Sequence, residues 1–450
     1  MHLTRRHLLL GSLATALATP ASAQAQKQAK PQGLDAAQFG VRANAAGEQT
    51  AALQRAIDRA AQADRPLWLA PGLYRSGPLT LRAGSRIVGA NGARLSLTRG
   101  PSLLTAQDAE TVSLSGLGLD GGNVRLERDG GLVNITGARQ LRIDGLTIAN
   151  ANGNAIGVFK SQGAITGNTI TGSADNAIYC VDNLGLDIGG NRISKSGNGG
   201  IRVWQSRAQF DGSTVANNTI EDIESRGGGN GQNGNAVNVF RANGVTVRDN
   251  FIRRAAFSAV RGNAASDFKV IGNDCAVFGE TAMYAEFEYR NATFTDNVID
   301  DAANGIAVTN FDVGGHGGTV ARNVVRNIGQ RVLSTLTDGS GNGFGISVEA
   351  DTEAADNRIE NCAYAGLRIG FGPYLRNVLA RRNTIRRSPY GIVVSVVKGA
   401  GQAVITDNTI EAASRGAIVG VEWHKAVSGD LARSGAEKFP TLRVSGNKVG

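Results

Sequence analysis

Ile165-Thr166-Gly167-Asn168-Thr169-Ile170 is followed two dozen residues later by Ile188-Gly189-Gly190-Asn191-Arg192-Ile193, and the pattern keeps returning. An asparagine followed two places on by an aliphatic residue recurs as NNTI (Asn218), DNFI (Asn250), DNVI (Asn297), RNVV (Asn323), DNRI (Asn357), RNTI (Asn383), DNTI (Asn408) and GNKV (Asn447), with GNDC (Asn273) ending in cysteine. A unit of this length cannot bury its own apolar face, so the period predicts coils stacked on one another into a solenoid.

A second pattern precedes each asparagine: Ala155-Ile156-Gly157-Val158, Gly200-Ile201-Arg202-Val203, Gly305-Ile306-Ala307-Val308, Gly345-Ile346-Ser347-Val348, Gly391-Ile392-Val393-Val394. Side chains alternate across a strand, so the two aliphatics point inward and the residues between and after them point out. Each coil then offers an inward aliphatic ladder and an outward chemical ladder. The asparagines read as structural: Asn tolerates left-handed backbone, and in stacked coils its amide can bond the equivalent amides above and below.

The 450 residues include 61 glycines, 9 prolines and 5% aromatics, which suits short strands joined by tight turns rather than a helical bundle. One early segment differs. Leu53, Ala56, Ile57 and Ala60 recur at helical spacing, predicting an amphipathic helix over 47–63. It is placed to cap the first coil, whose open core and strand edges need cover. The three cysteines are far apart and lack metal-ligand spacing, so Cys180 and Cys275 read as core residues.

At the N-terminus, Arg5-Arg6 precedes an apolar stretch to Ala18 and Ala21-Ser22-Ala23, predicting a twin-arginine export signal over 1–23 and cleavage after Ala23. The apolar run is too short for a stable membrane span. Residues 24–32 read as a disordered linker, 33–100 as the cap and first coils, and 101–450 as the repeats. The formal charge of +9 becomes +7 without Arg5 and Arg6. In an exported protein that favours an anionic polysaccharide or envelope surface over nucleic acid as partner.

These repeats, together with Gln38-Phe39-Gly40, Thr50-Ala51-Ala52-Leu53-Gln54-Arg55-Ala56-Ile57 and Leu69-Ala70-Pro71-Gly72-Leu73-Tyr74, resemble the right-handed parallel β-helix proteins of the pectate-lyase-like superfamily. With the export signal, the whole chain resembles a family of twin-arginine-translocated repeat proteins. The resemblance implies an all-β, right-handed, single-stranded parallel β-helix. It further implies a periplasmic or secreted protein handed to the Tat translocase. Many relatives cleave, epimerise or bind uronic-acid polysaccharides.

On that fold the outward residues form two columns. The aromatic and basic members Tyr179, Arg202, Trp204, Phe240, Arg241 and Arg368, with Asn238 and Asn263, suit a uronate-binding groove: rings stack on sugars and guanidinium forks match carboxylates. Insertions at 224–231 and 330–339 leave one corner four coils apart, about 19 Å, and are expected to wall a cleft. For a lyase or epimerase, Arg261 would neutralise the carboxylate, Tyr284 donate a proton, and Glu286, Glu349 or His316 act as base. A hydrolase would use Glu286 with Glu349, two coils apart. The acidic run Glu349, Asp351, Glu353 and Asp356 offers oxygens of the kind calcium needs, if the turn curls; no other metal or cofactor site stands out. The alternative is a non-catalytic solenoid that binds envelope or matrix.

Overall fold

A computed structural model describes residues 33–229, 231–330 and 342–450. The expected signal and linker, Asn230, and nearly all of the second insertion (331–339) lie outside the described residues. Gly33–Gly450 is one compact unit.

The unit is a parallel β-helix. Sixteen strands, one per coil, form a parallel sheet whose order follows the chain, and the other strands form a second, 28-stranded sheet. The inward aliphatics fall in strict register: Ile156 beside Ile178, Ile178 beside Ile201, then Val237, Val260, Met283, Ile306, Ile346, Leu367, Ile392 and Ile418. All are buried, and each fully buried aliphatic contributes on the order of 1.5–3 kcal/mol. Cys180 sits between Val158 and Val203 and Cys275 between Ile252 and Ile299, so the thiols do the work of aliphatics. Burial raises both well above the ordinary thiol range and pushes Cys362 up to about 12.

The recurrent asparagines form one continuous ladder. Asn168 Nδ2 donates to Asn191 Oδ1 at 2.9 Å, Asn191 to Asn218 at 3.0 Å, and so on to Asn408 and Asn447 at 2.9 Å. Each Oδ1 also accepts the main-chain N–H of the asparagine one coil back, as Asn218 does from Asn191 at 2.9 Å. The second Nδ2 hydrogen reaches a carbonyl, for instance Val270 O from Asn297 at 2.9 Å. A buried side-chain amide is tolerable because its groups are bonded in this way. The left-handed backbone falls one place earlier than the asparagines themselves. Gly167, Gly190, Asn217, Asp249, Gly272, Asp296, Arg322, Asp356, Arg382, Asp407 and Gly446 all have positive φ. That explains the Gly, Asp or Asn that usually stands there.

Helix α1 (Thr50–Gln62) buries Leu53, Ala56, Ile57 and Ala60 against the first coils, as the spacing predicts. At the far end the strand Lys425–Asp430 pairs antiparallel with Gly416–Glu422. Asp430 accepts the N–H groups of Ala417 and Ile418 at 3.1 Å each, and Leu431 and Phe439 pack on the core. The edge is blunted rather than left as a template.

Candidate functional site

The outward columns exist as the alternation requires. One runs Gly157, Tyr179, Arg202, Asn238, Arg261, Tyr284, Ala307, Ser347, Arg368, Val393, Val419 in unbroken register. Beside it lie Phe159, Val181, Trp204, Phe240, Asn263 and Glu286.

Among the described residues, two clefts open on this face. A cleft of about 650 Å³ lies over Tyr179, Arg202 and Trp204. One wall is Arg125–Asp129, from the loop before the strand Gly131–Thr136, and the other is Gln232 and Asn233, before the strand Asn235–Asn243. These loops leave one corner four coils apart, since Gly131, Asn154, Asn176, Gly199 and Asn235 share a register position. The wall thus comes from Gln232 and Asn233, just after the 224–231 insertion, of which Gly231 lines only the smaller cleft, and its partner wall stands on the N-terminal side. A smaller continuation of about 280 Å³ passes Trp204, Gln232, Asn238, Phe240 and Asn263.

The floor is aromatic and cationic. Phe159, Tyr179, Trp204 and Phe240 follow one another edge to face at 5.9, 5.7 and 5.5 Å between ring centres. Trp204 Nε1 donates to Asn238 Oδ1 at 2.7 Å, which fixes the indole. Arg202 is only 6% exposed. Its Nη2 donates to Asn233 Oδ1 at 2.7 Å, its guanidinium lies 5.1 Å from the Trp204 ring centre, and its buried Nε has no partner. Among the described residues no carboxylate reaches ion-pair distance, so burial pulls Arg202 below its ordinary value, against the more distant pull of Asp175 and Asp129. A buried cation left in that condition is costly, and an anion entering the cleft would relieve it.

Under this floor a second amide column breaks. Asn154 Oδ1 accepts from Asn176 Nδ2 at 2.7 Å, but Gly199 occupies the next step and Asn176 Oδ1 is left without a partner. A Cβ on Gly199 would sit 2.4 Å from that oxygen. Glu127, Asp129 and Asp175 also face the cleft, with Asp175 accepting from Asn198 Nδ2 at 3.1 Å. Burial, then Asp129, raises the Tyr179 phenol above its ordinary value. Sequence reasoning missed these carboxylates. The available signal was the excess length of 121–130 before Gly131, at the same corner as the 224–231 insertion.

The residues expected to do chemistry stand elsewhere. Glu286 is 2% exposed; Arg261 Nε and Nη2 donate to its two oxygens at 2.7 and 2.8 Å, and Asn263 Nδ2 adds a bond at 2.9 Å. Arg261 also donates to Glu280 at 3.0 Å. Arg261 is thus neutralised within the protein. Tyr284 is raised by burial, and Arg261 lies 5.3 Å from its ring centre. Glu349 is buried, accepts the Phe311 N–H at 2.9 Å and is raised by that burial. It stands two coils from Glu286 with Thr309 between, as expected. His316 falls on the sixteen-stranded sheet beside Arg290, apart from the other four, with Nδ1 2.8 Å from Gly314 O. Arg241 is exposed and stacks 4.7 Å from the Phe240 ring centre. Arg368 lies five coils beyond Asn238, outside both clefts.

The acidic run is an ion-pair ladder. Asp351 pairs with Arg376, Glu353 with Arg381 at 2.5 Å and Asp356 with Arg382 at 2.7 Å. Its oxygens point along the stack to arginines rather than curling round a common centre.

The family model for the right-handed β-helix region matches residues 121–231, the stretch that builds the cleft. No curated protein matches the chain significantly. Among solved structures, the N-terminal fragment of bacteriophage phi29 gene product 12 is similar over 86% of this chain and 68% of its own, at 14% identity and a TM-score of 0.51. The A-module of the Azotobacter vinelandii mannuronan C-5 epimerase AlgE4 aligns with 92% of this chain and 100% of its own, at 17% identity and a TM-score of 0.42. The catalytic unit of an alpha-1,3-glucanase from Streptomyces thermodiastaticus aligns with 96% and 70%, at 16% and 0.47. The class is that of the right-handed parallel β-helices, and at these identities the likeness is one of fold.

Proposed function

We propose that this is an exported β-helix protein that binds an anionic, uronate-type polysaccharide in the cleft over Tyr179, Arg202 and Trp204. The observation that carries the proposal is Arg202: a buried guanidinium, open to a cleft, flanked by an aromatic ring and, among the described residues, without a carboxylate at ion-pair distance. Carboxylated sugars supply both halves of what it lacks, an anion for the fork and a ring face for the stack. The twin-arginine motif at Arg5-Arg6 supports passage through the Tat translocase to the periplasm or beyond, and the basic charge of the chain suits an acidic glycan.

A second reading adds turnover at the same place. Asp129, Asp175 and Tyr179 converge on the cleft, and both carboxylates act on the phenol through space. With Glu127, which also faces the cleft, these groups could exchange a proton with a bound uronate, by epimerisation, elimination or hydrolysis. The first test is to incubate the purified protein with alginate, polygalacturonate and hyaluronan, following binding, unsaturated-uronate absorbance, reducing ends and C5 configuration. Binding abolished by Arg202→Ala supports the cleft; product lost in Asp175→Asn supports turnover. Binding without any product leaves a non-catalytic solenoid, and no binding to any uronan overturns the proposal.

A further inference from the structure

Arg368 repeats the situation of Arg202 six coils further along the same column. Its guanidinium lies between two rings, 4.5 Å from the centre of Phe344 and 5.5 Å from that of Phe371. Among the described residues no carboxylate comes within ion-pair distance, and burial pulls it below its ordinary value while Glu349 opposes from further off. Aromatic rings continue on both sides. Phe344, Tyr364 and Tyr390 follow at 5.0 and 5.4 Å, and Trp423, 49% exposed, meets Phe371 edge-on at 5.0 Å. Between the two arginines, beyond the smaller cleft at Asn238 and Asn263, Arg261 is paired with Glu286 and Glu349 accepts the Phe311 N–H. Among the described residues, the outward column therefore carries two unpaired, aromatic-flanked arginines, Arg202 and Arg368, on either side of an arginine that is paired internally.

We infer that Arg368, with Phe344, Phe371 and Trp423, forms a second binding site for the same class of anionic polysaccharide, and that one chain engages both sites at once. This rests on the proposed function of the first cleft. Six coils at about 4.8 Å each separate the arginines by about 29 Å, roughly six sugar units along a strand lying parallel to the stack. A glycan shorter than that span occupies one site; a longer one makes the second contact intramolecularly, at high effective concentration. The protein thereby discriminates by length.

The test is calorimetric titration of the full chain with size-fractionated oligouronates from the trimer to the dodecamer. The expected result is an affinity that stays flat up to about six residues and then rises at least about tenfold once both sites are spanned. Arg368→Ala and the exposed Trp423→Ala should each erase the rise and cut trimer stoichiometry from two to one, leaving the trimer affinity of the first cleft; Arg202→Ala should weaken that first-cleft affinity. A smooth length dependence, or a step that survives both Arg368→Ala and Trp423→Ala, overturns the second site while the first stands. Failure of every oligomer to bind the wild type removes the first reading and this one with it. Circular dichroism on each variant separates lost binding from lost folding.

Discussion

Arg261 and Glu286 meet in a two-pronged ion pair, Nε to Oε1 at 2.7 Å and Nη2 to Oε2 at 2.8 Å, on adjacent coils of the buried middle of the outward face. The pair satisfies both groups and so removes from the ligand-facing surface two residues whose types suggest catalysis. Its loss should be felt in stability. Removing one partner of a buried pair costs about 3–5 kcal/mol, because the other charge is stranded. Glu286→Ala should show that scale of loss in urea unfolding, softened by Glu280, with uronan affinity at the cleft retained.

Arg202 should behave in the opposite way. With no internal carboxylate to strand, Arg202→Met should leave stability unchanged or raise it. The same substitution should weaken oligouronate binding by about thirtyfold or more, the ~2 kcal/mol lower end for truncating one member of a buried charge pair. Arg202→Lys should recover little, since a point charge lacks the fork and the stacking plane. Thermal melts and titrations on the same samples check both halves.

The asparagine ladder makes a positional prediction. Asn297 Oδ1 accepts both the main-chain N–H and Nδ2 of Asn273 at 3.0 Å, while its own Nδ2 serves Val270 and Asn323. Asn297→Ala orphans several buried groups, each worth about 1–3 kcal/mol, and should destabilise by at least about 3 kcal/mol in total. Asn447→Ala, at the open end, should cost distinctly less. Denaturant unfolding of the two variants decides it.

Acid should loosen the cap. Glu48, just before α1, accepts from the hydroxyls of Thr50 and Thr98 at 2.6 Å each and from Arg99 at 2.8 Å. Those hydroxyls first, then Arg99, lower it from 4.5 to about 2. A folded value below the unfolded one means the stabilisation is complete above about pH 4.5 and is lost as pH falls towards 2. Hydrogen exchange in α1 should rise over that window in the wild type, and Glu48→Gln should flatten the dependence.

The inward ladder, the two outward columns, the cap stripe Leu53, Ala56, Ile57, Ala60 and the asparagine contacts were all legible in the chain, because each rests on a short-range period. Tyr179, Arg202, Trp204, Asn238, Phe240 and Asn263 were named as ligand-facing and do line the clefts. The loop 121–130 was not, since it precedes the first asparagine repeat and no period marks it. Nor could Arg261 be told from Arg202. Both are arginines in the same column, one beside Tyr284 and Glu286, the other beside Tyr179 and Trp204.

By itself the sequence determined the solenoid, its register and which side chains face outward, because strand alternation and a repeat of fixed length are local properties that stacking only multiplies. The tertiary structure alone decided which outward residues meet solvent. That depends on where loops fold back, such as Arg125–Asp129 raising a wall and Phe311 closing over Glu349, and on whether a charge finds its partner one coil away. Those contacts join residues two dozen or more places apart, where the energy of a buried ion pair, rather than any local propensity, fixes the outcome.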